Sequence, residues 1–121
     1  MKEARGIKTI FCDIDGCIFR HSGPDFIKIH PTIDLLPGVI NKFHEWMDKG
    51  YTIILTTGRP PSLRQKTIQQ LENAGLWFDH IIMGLPRGQR VVINDYKIDN
   101  NEPTATAINI KRNEGLINVD C

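Results

Sequence analysis

The run Thr9-Ile10-Phe11-Cys12-Asp13-Ile14-Asp15-Gly16 constrains this chain more than any other stretch. A short apolar segment bounded by a turn signal reads as a buried strand. This one ends in two carboxylates one residue apart. Alternate residues of a strand share a face, so Asp13 and Asp15 start on one side at the strand's C-terminal end. Gly16 lets the chain turn sharply there. Open parallel α/β sheets bind ligands at such strand ends. Adjacent carboxylates repel unless positive charge lies between them, and Mg²⁺ is the divalent cation that suits an all-oxygen site.

The bulk properties narrow the function classes. The chain has 121 residues, which predicts one domain over 1–121. Its 15 basic and 14 acidic residues give a net charge of +1, with no electrostatic case for nucleic acid or an anionic membrane as partner. No apolar run approaches the roughly 18 residues of a membrane span, and the N-terminus carries no signal-peptide core. Cys12, Cys17 and Cys121 are odd in number and lack CxxC spacing, so they read as reduced thiols of a cytoplasmic protein.

The remaining pattern places further elements. Cys17–Phe19 and Phe26–Ile29 are expected to pair as a hairpin, a small flap at about 17–33 beside the site. Pro37 opens a helix whose apolar face carries Val39, Ile40, Phe43, Trp46 and Met47, and Gly50 ends it. Tyr51–Thr56 is a second buried strand that runs into Thr57-Gly58-Arg59. A second helix spans about 62–74. Ile81–Met83, Val91–Ile93 and Ala105–Ile110 read as further short strands. The C-terminal tail carries no signal. This order gives a doubly wound parallel α/β sheet with strand C-termini along one edge. Asp13, Asp15, Thr57 and Asp95 each follow a strand and would converge on that edge.

These segments together resemble the haloacid dehalogenase-like superfamily of phosphotransferases. Phe11–Gly16 is similar to its first motif, Ile53–Arg59 to its second, and Val91–Asp99 to its acidic fourth motif. Leu36-Pro37-Gly38-Val39 is similar to a common start of the helix before the second motif. The resemblance covers roughly residues 7–100. It implies a Rossmann-like core of the small capless type, with a short flap insert and no separate cap domain. It also implies roles. Asp13 would be the nucleophile that forms an aspartyl-phosphate, and Asp15 the general acid/base. Mg²⁺ would be held by Asp13, the backbone carbonyl of Asp15, and Asp95. Thr57, with Gly58, would bind phosphate, and Thr56 is the alternative in register. Asn94 and Asp99 would lie just behind the metal ligands.

The family's third motif, a Lys, has no clear counterpart here. Arg87 is the preferred replacement and Lys97 the alternative. Arg59 is expected to serve within the fold or to cap the site, and His21 and His30 lie in the flap. The function so implied is Mg²⁺-dependent hydrolysis of a small phosphomonoester. A sugar or sugar-acid phosphate, as in surface-polysaccharide biosynthesis, is the substrate expected by analogy. A transferase or phosphomutase of the same superfamily and a non-catalytic binding domain are the alternatives. A site with so small a flap needs cover from elsewhere, which predicts a homo-oligomer.

Overall fold

The computed structural model describes residues 6–121. Strand β1 (Thr9–Asp13) is followed by two helices, α1 (Pro24–Ile29) and α2 (Val39–Asp48). Strand β2 (Thr52–Thr56), a 3₁₀ turn (Pro61–Leu63), helix α3 (Arg64–Asn73) and strand β3 (His80–Ile82) complete the regular elements. The strands form one parallel sheet in the order β1-β2-β3. The expected parallel α/β core is therefore present. No helix among the described residues is long and apolar enough to cross a membrane.

With the strands in sequence order, both right-handed crossovers run over the same side of the sheet. That side carries Cys12, Ile53 and Leu55, which join Val39, Phe43 and Trp46 of α2 and Leu71 of α3 in one buried cluster. The opposite side carries Phe11, paired in register with Ile54, and Ile82, paired with Thr56. It is open: Phe11 is 61% and Ile82 44% exposed.

Three expectations need correction. The flap is an insert before α2, but it folds as helix α1 and not as a hairpin. Gly23 precedes it in an extended conformation, Pro24 occupies the first turn with Asp25, and Lys28 lies in the last turn. These are helix-start and helix-end signals, and they outweigh the apolar alternation of Phe26–Ile29. Val91–Ile93 and Ala105–Ile110 are not strands. Strand propensity reflects fit to a pleated, half-buried surface, and the 91–93 segment lies against none: Ile93 is 91% exposed. Backbone pairing nearby is confined to a local turn, where Lys97 N–H donates to Glu102 C=O and Asn101 N–H to Lys97 C=O.

The C-terminal tail, silent in the sequence, is a structural strap. Leu116 and Val119 are buried in the core. Leu116 N–H donates to Pro37 C=O, and Asn113 N–H donates to Gly16 C=O. The crossing at Pro37 is tight enough that a Cβ at Gly115 would collide with the Pro37 carbonyl.

Candidate active site

The strand ends of β1 and β2 build the site. Asp13 closes β1 and lies opposite Thr56 in register, so both belong to the open side of the sheet. The chain continues straight for one residue, with Ile14 N–H bonded to Thr56 C=O, and then turns at Gly16, whose φ is +91°. The turn is closed by Gly16 N–H donating to Phe19 C=O at 2.7 Å.

Asp15 has a partner the motif did not reveal. Arg59, at the end of the Thr57-Gly58-Arg59 turn, donates from Nε to Oδ2 at 2.9 Å and from Nη2 to Oδ1 at 2.7 Å. This is the planar, bidentate geometry in which Arg–carboxylate pairs are strongest. The Arg59 side chain is 3% exposed and that of Asp15 17%. The other terminal nitrogen, Nη1, donates to Thr67 Oγ1 at 3.0 Å and Gln70 Oε1 at 2.7 Å, both on α3. Of the two roles expected for Arg59, the ion pair within the fold is present, and it joins Asp15 to α3.

Asp13 is less settled. Protein packed around its carboxyl raises the pKa, and the Asp15 charge adds to the rise. A hydrogen bond from the Ile14 backbone, Arg90 and His21 pull the other way. Burial also pushes the neighbouring Cys17 thiol up to about 11, helped by Asp13 and Asp15. Cys17 is therefore no thiolate nucleophile at neutral pH.

The other expected residues are placed as follows. Thr57 is buried at 1% exposure, and its Oγ1 accepts from Arg59 N–H at 3.0 Å. That bond is a local turn cap, and it ties the hydroxyl to the loop. Thr56 is half-buried beside Asp13. Gly58 is exposed, and its N–H makes no internal backbone hydrogen bond among the described residues. Asn94, Asp95, Lys97 and Asp99 all lie in the exposed 86–109 segment, where Asp95 C=O accepts from Thr104 Oγ1 at 2.5 Å. Among the described residues no three His, Cys, Asp or Glu side chains gather as a metal cluster. Asp95 is not brought to the Asp13–Asp15 pair, because the strand that was to deliver it does not form.

Arg87 and Lys97, the expected cations, lie in the exposed 86–109 segment. Arg90 and His21 are among the groups that lower the Asp13 pKa. Arg90 is held by its Nη1, which donates to Pro86 C=O at 2.7 Å and Gly88 C=O at 2.9 Å. His21 is held by its N–H, which donates to Asn113 Oδ1 at 2.8 Å. Nothing local in the sequence marks Arg90 above Arg87.

Mg²⁺ commonly takes one or two carboxylates and keeps several waters. Asp13 and the adjacent Asp15 carbonyl suit such a largely aqueous site. The Asp15 carboxylate is committed to Arg59.

No family model and no curated protein matches the chain. Solved structures do match. A chain in the structure of the Pnkp1/Rnl/Hen1 RNA repair complex is 25% identical with a TM-score of 0.57, over 78% of this chain and 29% of that one. A crystal structure from Vibrio cholerae is 18% identical with a TM-score of 0.54, over 76% of this chain and 83% of that one. D,D-heptose 1,7-bisphosphate phosphatase from B. bronchiseptica, complexed with magnesium and phosphate, is 20% identical with a TM-score of 0.48, over 74% and 56%. The present chain spans under a third of the RNA repair chain. The first two likenesses concern the fold, a parallel α/β core.

Proposed function

We propose that this protein is a phosphomonoester hydrolase of the haloacid dehalogenase-like kind. One observation carries the reading. A carboxylate at an open strand end, Asp13, stands beside a second carboxylate, Asp15, that a buried arginine holds in a fixed orientation. A fold needs no such pair for its own sake, since buried ion pairs are weak stabilisers.

The chemistry divides between the two. An Asp13 oxygen attacks phosphorus in line, and the bond from phosphorus to the substrate's ester oxygen breaks. Asp15 gives its proton to that leaving oxygen. Water then attacks the aspartyl-phosphate, Asp15 takes the water's proton, and Asp13 is regenerated. Arg59 occupies one lone pair on each Asp15 oxygen, and the carboxyl retains others for the transferable proton. Thr56 and the Gly58 N–H are the groups offered to the phosphate oxygens, and Arg90 is the cation. Mg²⁺ held by Asp13 and the Asp15 carbonyl would screen the nucleophile from its anionic substrate.

A small phosphorylated metabolite, such as a sugar or sugar-acid phosphate, is the substrate class we favour, in line with the near-zero net charge. The likeness to a chain of an RNA repair complex makes a phosphate carried on RNA the second class. A screen against sugar phosphates and 3′- and 5′-phosphorylated oligonucleotides, with Mg²⁺ and with chelator, tests the proposal. Phosphate release that needs Mg²⁺ and is lost in Asp13→Asn is the expected result. No release from any substrate refutes it.

A further inference from the structure

We infer that Gln70 is a positioning residue for the acid/base Asp15, and that it locks helix α1 to that carboxylate through Arg59. The inference rests on the phosphatase reading for Asp15 and on three hydrogen bonds for the lock. Gln70 sits on α3 and is 1% exposed. Its Oε1 accepts from Arg59 Nη1 at 2.7 Å. Its Nε2 donates to the backbone carbonyls of Ile27 at 2.9 Å and His30 at 2.8 Å.

Each contact answers a need. The last carbonyls of a helix have no partner within it, and α1 is too short to hide them. Gln70 supplies two donors to the C-terminal end of α1. Arg59, already bonded to Asp15 through Nε and Nη2, needs acceptors for Nη1, and Gln70 with Thr67 supplies them. The amide has one workable orientation. Reversed, its NH₂ would face a guanidinium and its oxygen would face two carbonyls. Gln70 is therefore a directed connector, from α1 backbone to Arg59 to Asp15. An aspartate in its place would be too short, and a leucine would leave both ends unpartnered.

The connection gives α1 a function. Phe26 stacks on His30 with ring centroids 3.8 Å apart, and Phe26 and Ile29 are exposed on this helix. A substrate that shifts α1 would pull on Gln70, and so on the group that orients Asp15. Because breaking a buried polar network leaves each remaining member unsatisfied, the effect of losing Gln70 should reach beyond its own contacts.

The test uses Gln70→Leu and Gln70→Glu in the full chain. Two substrates separate acid catalysis from general damage: an alkyl phosphate, whose leaving group needs a proton, and para-nitrophenyl phosphate, whose leaving group does not. In single turnover, Gln70→Leu should slow cleavage of the alkyl ester by about 10- to 100-fold, part of the usual general-acid contribution, and the first-step burst of nitrophenolate from the aryl ester by less than about threefold, while hydrolysis of the aspartyl-phosphate, which needs Asp15 with either substrate, slows alike for both. Gln70→Glu keeps an acceptor for Arg59 and loses the donors to α1. It should restore cleavage of the alkyl ester while amide exchange in 25–30 stays raised, as in Gln70→Leu. Equal slowing of the ester-cleavage step on both substrates, or unchanged exchange in 25–30 in either variant, overturns the inference. If Gln70→Leu does not fold, Gln70→Glu decides by the same exchange measurement. A wild-type chain inactive on both substrates overturns the phosphatase reading itself. The lock is then judged apart from it, by exchange and by the Arg59 Nε–H proton resonance, which should move in Gln70→Leu.

Discussion

The Arg59–Asp15 pair should be the most expensive single interaction to break in this molecule. Arg59→Met keeps much of the aliphatic stem and removes every charged donor. It leaves Asp15, 17% exposed at the side chain, without its two hydrogen bonds at 2.9 and 2.7 Å. Gln70 Oε1 and Thr67 Oγ1 lose their donor as well. Breaking a buried pair by deleting one partner costs about 3–5 kcal/mol. The partial exposure of Asp15 argues for the lower end, about 3 kcal/mol, or roughly 10 °C in Tm for a domain of this size. Asp15→Asn keeps the shape and removes the charge. A double-mutant cycle of the two isolates their coupling, expected at about 2 kcal/mol or more. Urea unfolding followed by fluorescence is the assay, because Trp46 is buried at 1% exposure and reports the core. A coupling below about 1 kcal/mol, the value of an ordinary surface pair, would refute the claim that this contact is a fixed, desolvated unit.

Asp13→Asn should abolish turnover and yet leave the protein more stable at neutral pH. The Asp13 side chain is exposed, but the protein on one side of its carboxyl, with the Asp15 charge, raises its pKa, so between its unfolded and folded values the native state binds more protons. Stability then falls as pH rises through that window, and ionised Asp13 is a cost above it. The gain from Asn should fade as pH drops below about 4, near the unfolded carboxylate value, and urea midpoints across pH would show it. Arg90→Ala should weaken vanadate binding more than Arg87→Ala or Lys97→Ala, and isothermal titration would expose the opposite ranking. Light scattering should find a homo-oligomer covering the open sheet face of Phe11 and Ile82. A strict monomer at working concentration would refute that cover.

The parts of the fold that were legible in sequence are those written locally. β1 and β2 are apolar runs that stop at turn residues, and α2 shows its buried face at helical spacing. The flap was misjudged because Phe26–Ile29 satisfies a strand pattern and a helix pattern at once, and the caps decide. The 91–93 run looks like a strand, but strand formation depends on a neighbour that a local pattern cannot report. At the candidate site, Asp13 and Asp15 were legible because two carboxylates one residue apart at the end of an apolar run are themselves the signal. The grip of Arg59 on Asp15 was not. It depends on α3 folding back so that Thr67 and Gln70, 8 and 11 residues on, hold the guanidinium that reaches Asp15, 44 residues earlier. Thr57 Oγ1 accepts from Arg59 N–H, and its own O–H stays available as a donor. The residue at the expected position caps its own loop, and its neighbour Thr56 shares the open side with Asp13.

The strap at the C-terminus changes what a break in the chain would do. Residues 86–109 are exposed throughout, yet the tail beyond them is fastened to Gly16 and Pro37 and buries Leu116 and Val119. The exposed stretch thus acts as a tether between two docked pieces. Tether length matters little to such docking, since doubling a flexible loop costs only about 0.6 kcal/mol. A protease nick there would make the strap a separate fragment, whose hold on the Asp15–Gly16 turn then depends on concentration. By the same logic, a synthetic peptide spanning 110–121 could dock in trans on a chain that stops short of it and rebuild the floor of the site, making activity conditional on a second molecule.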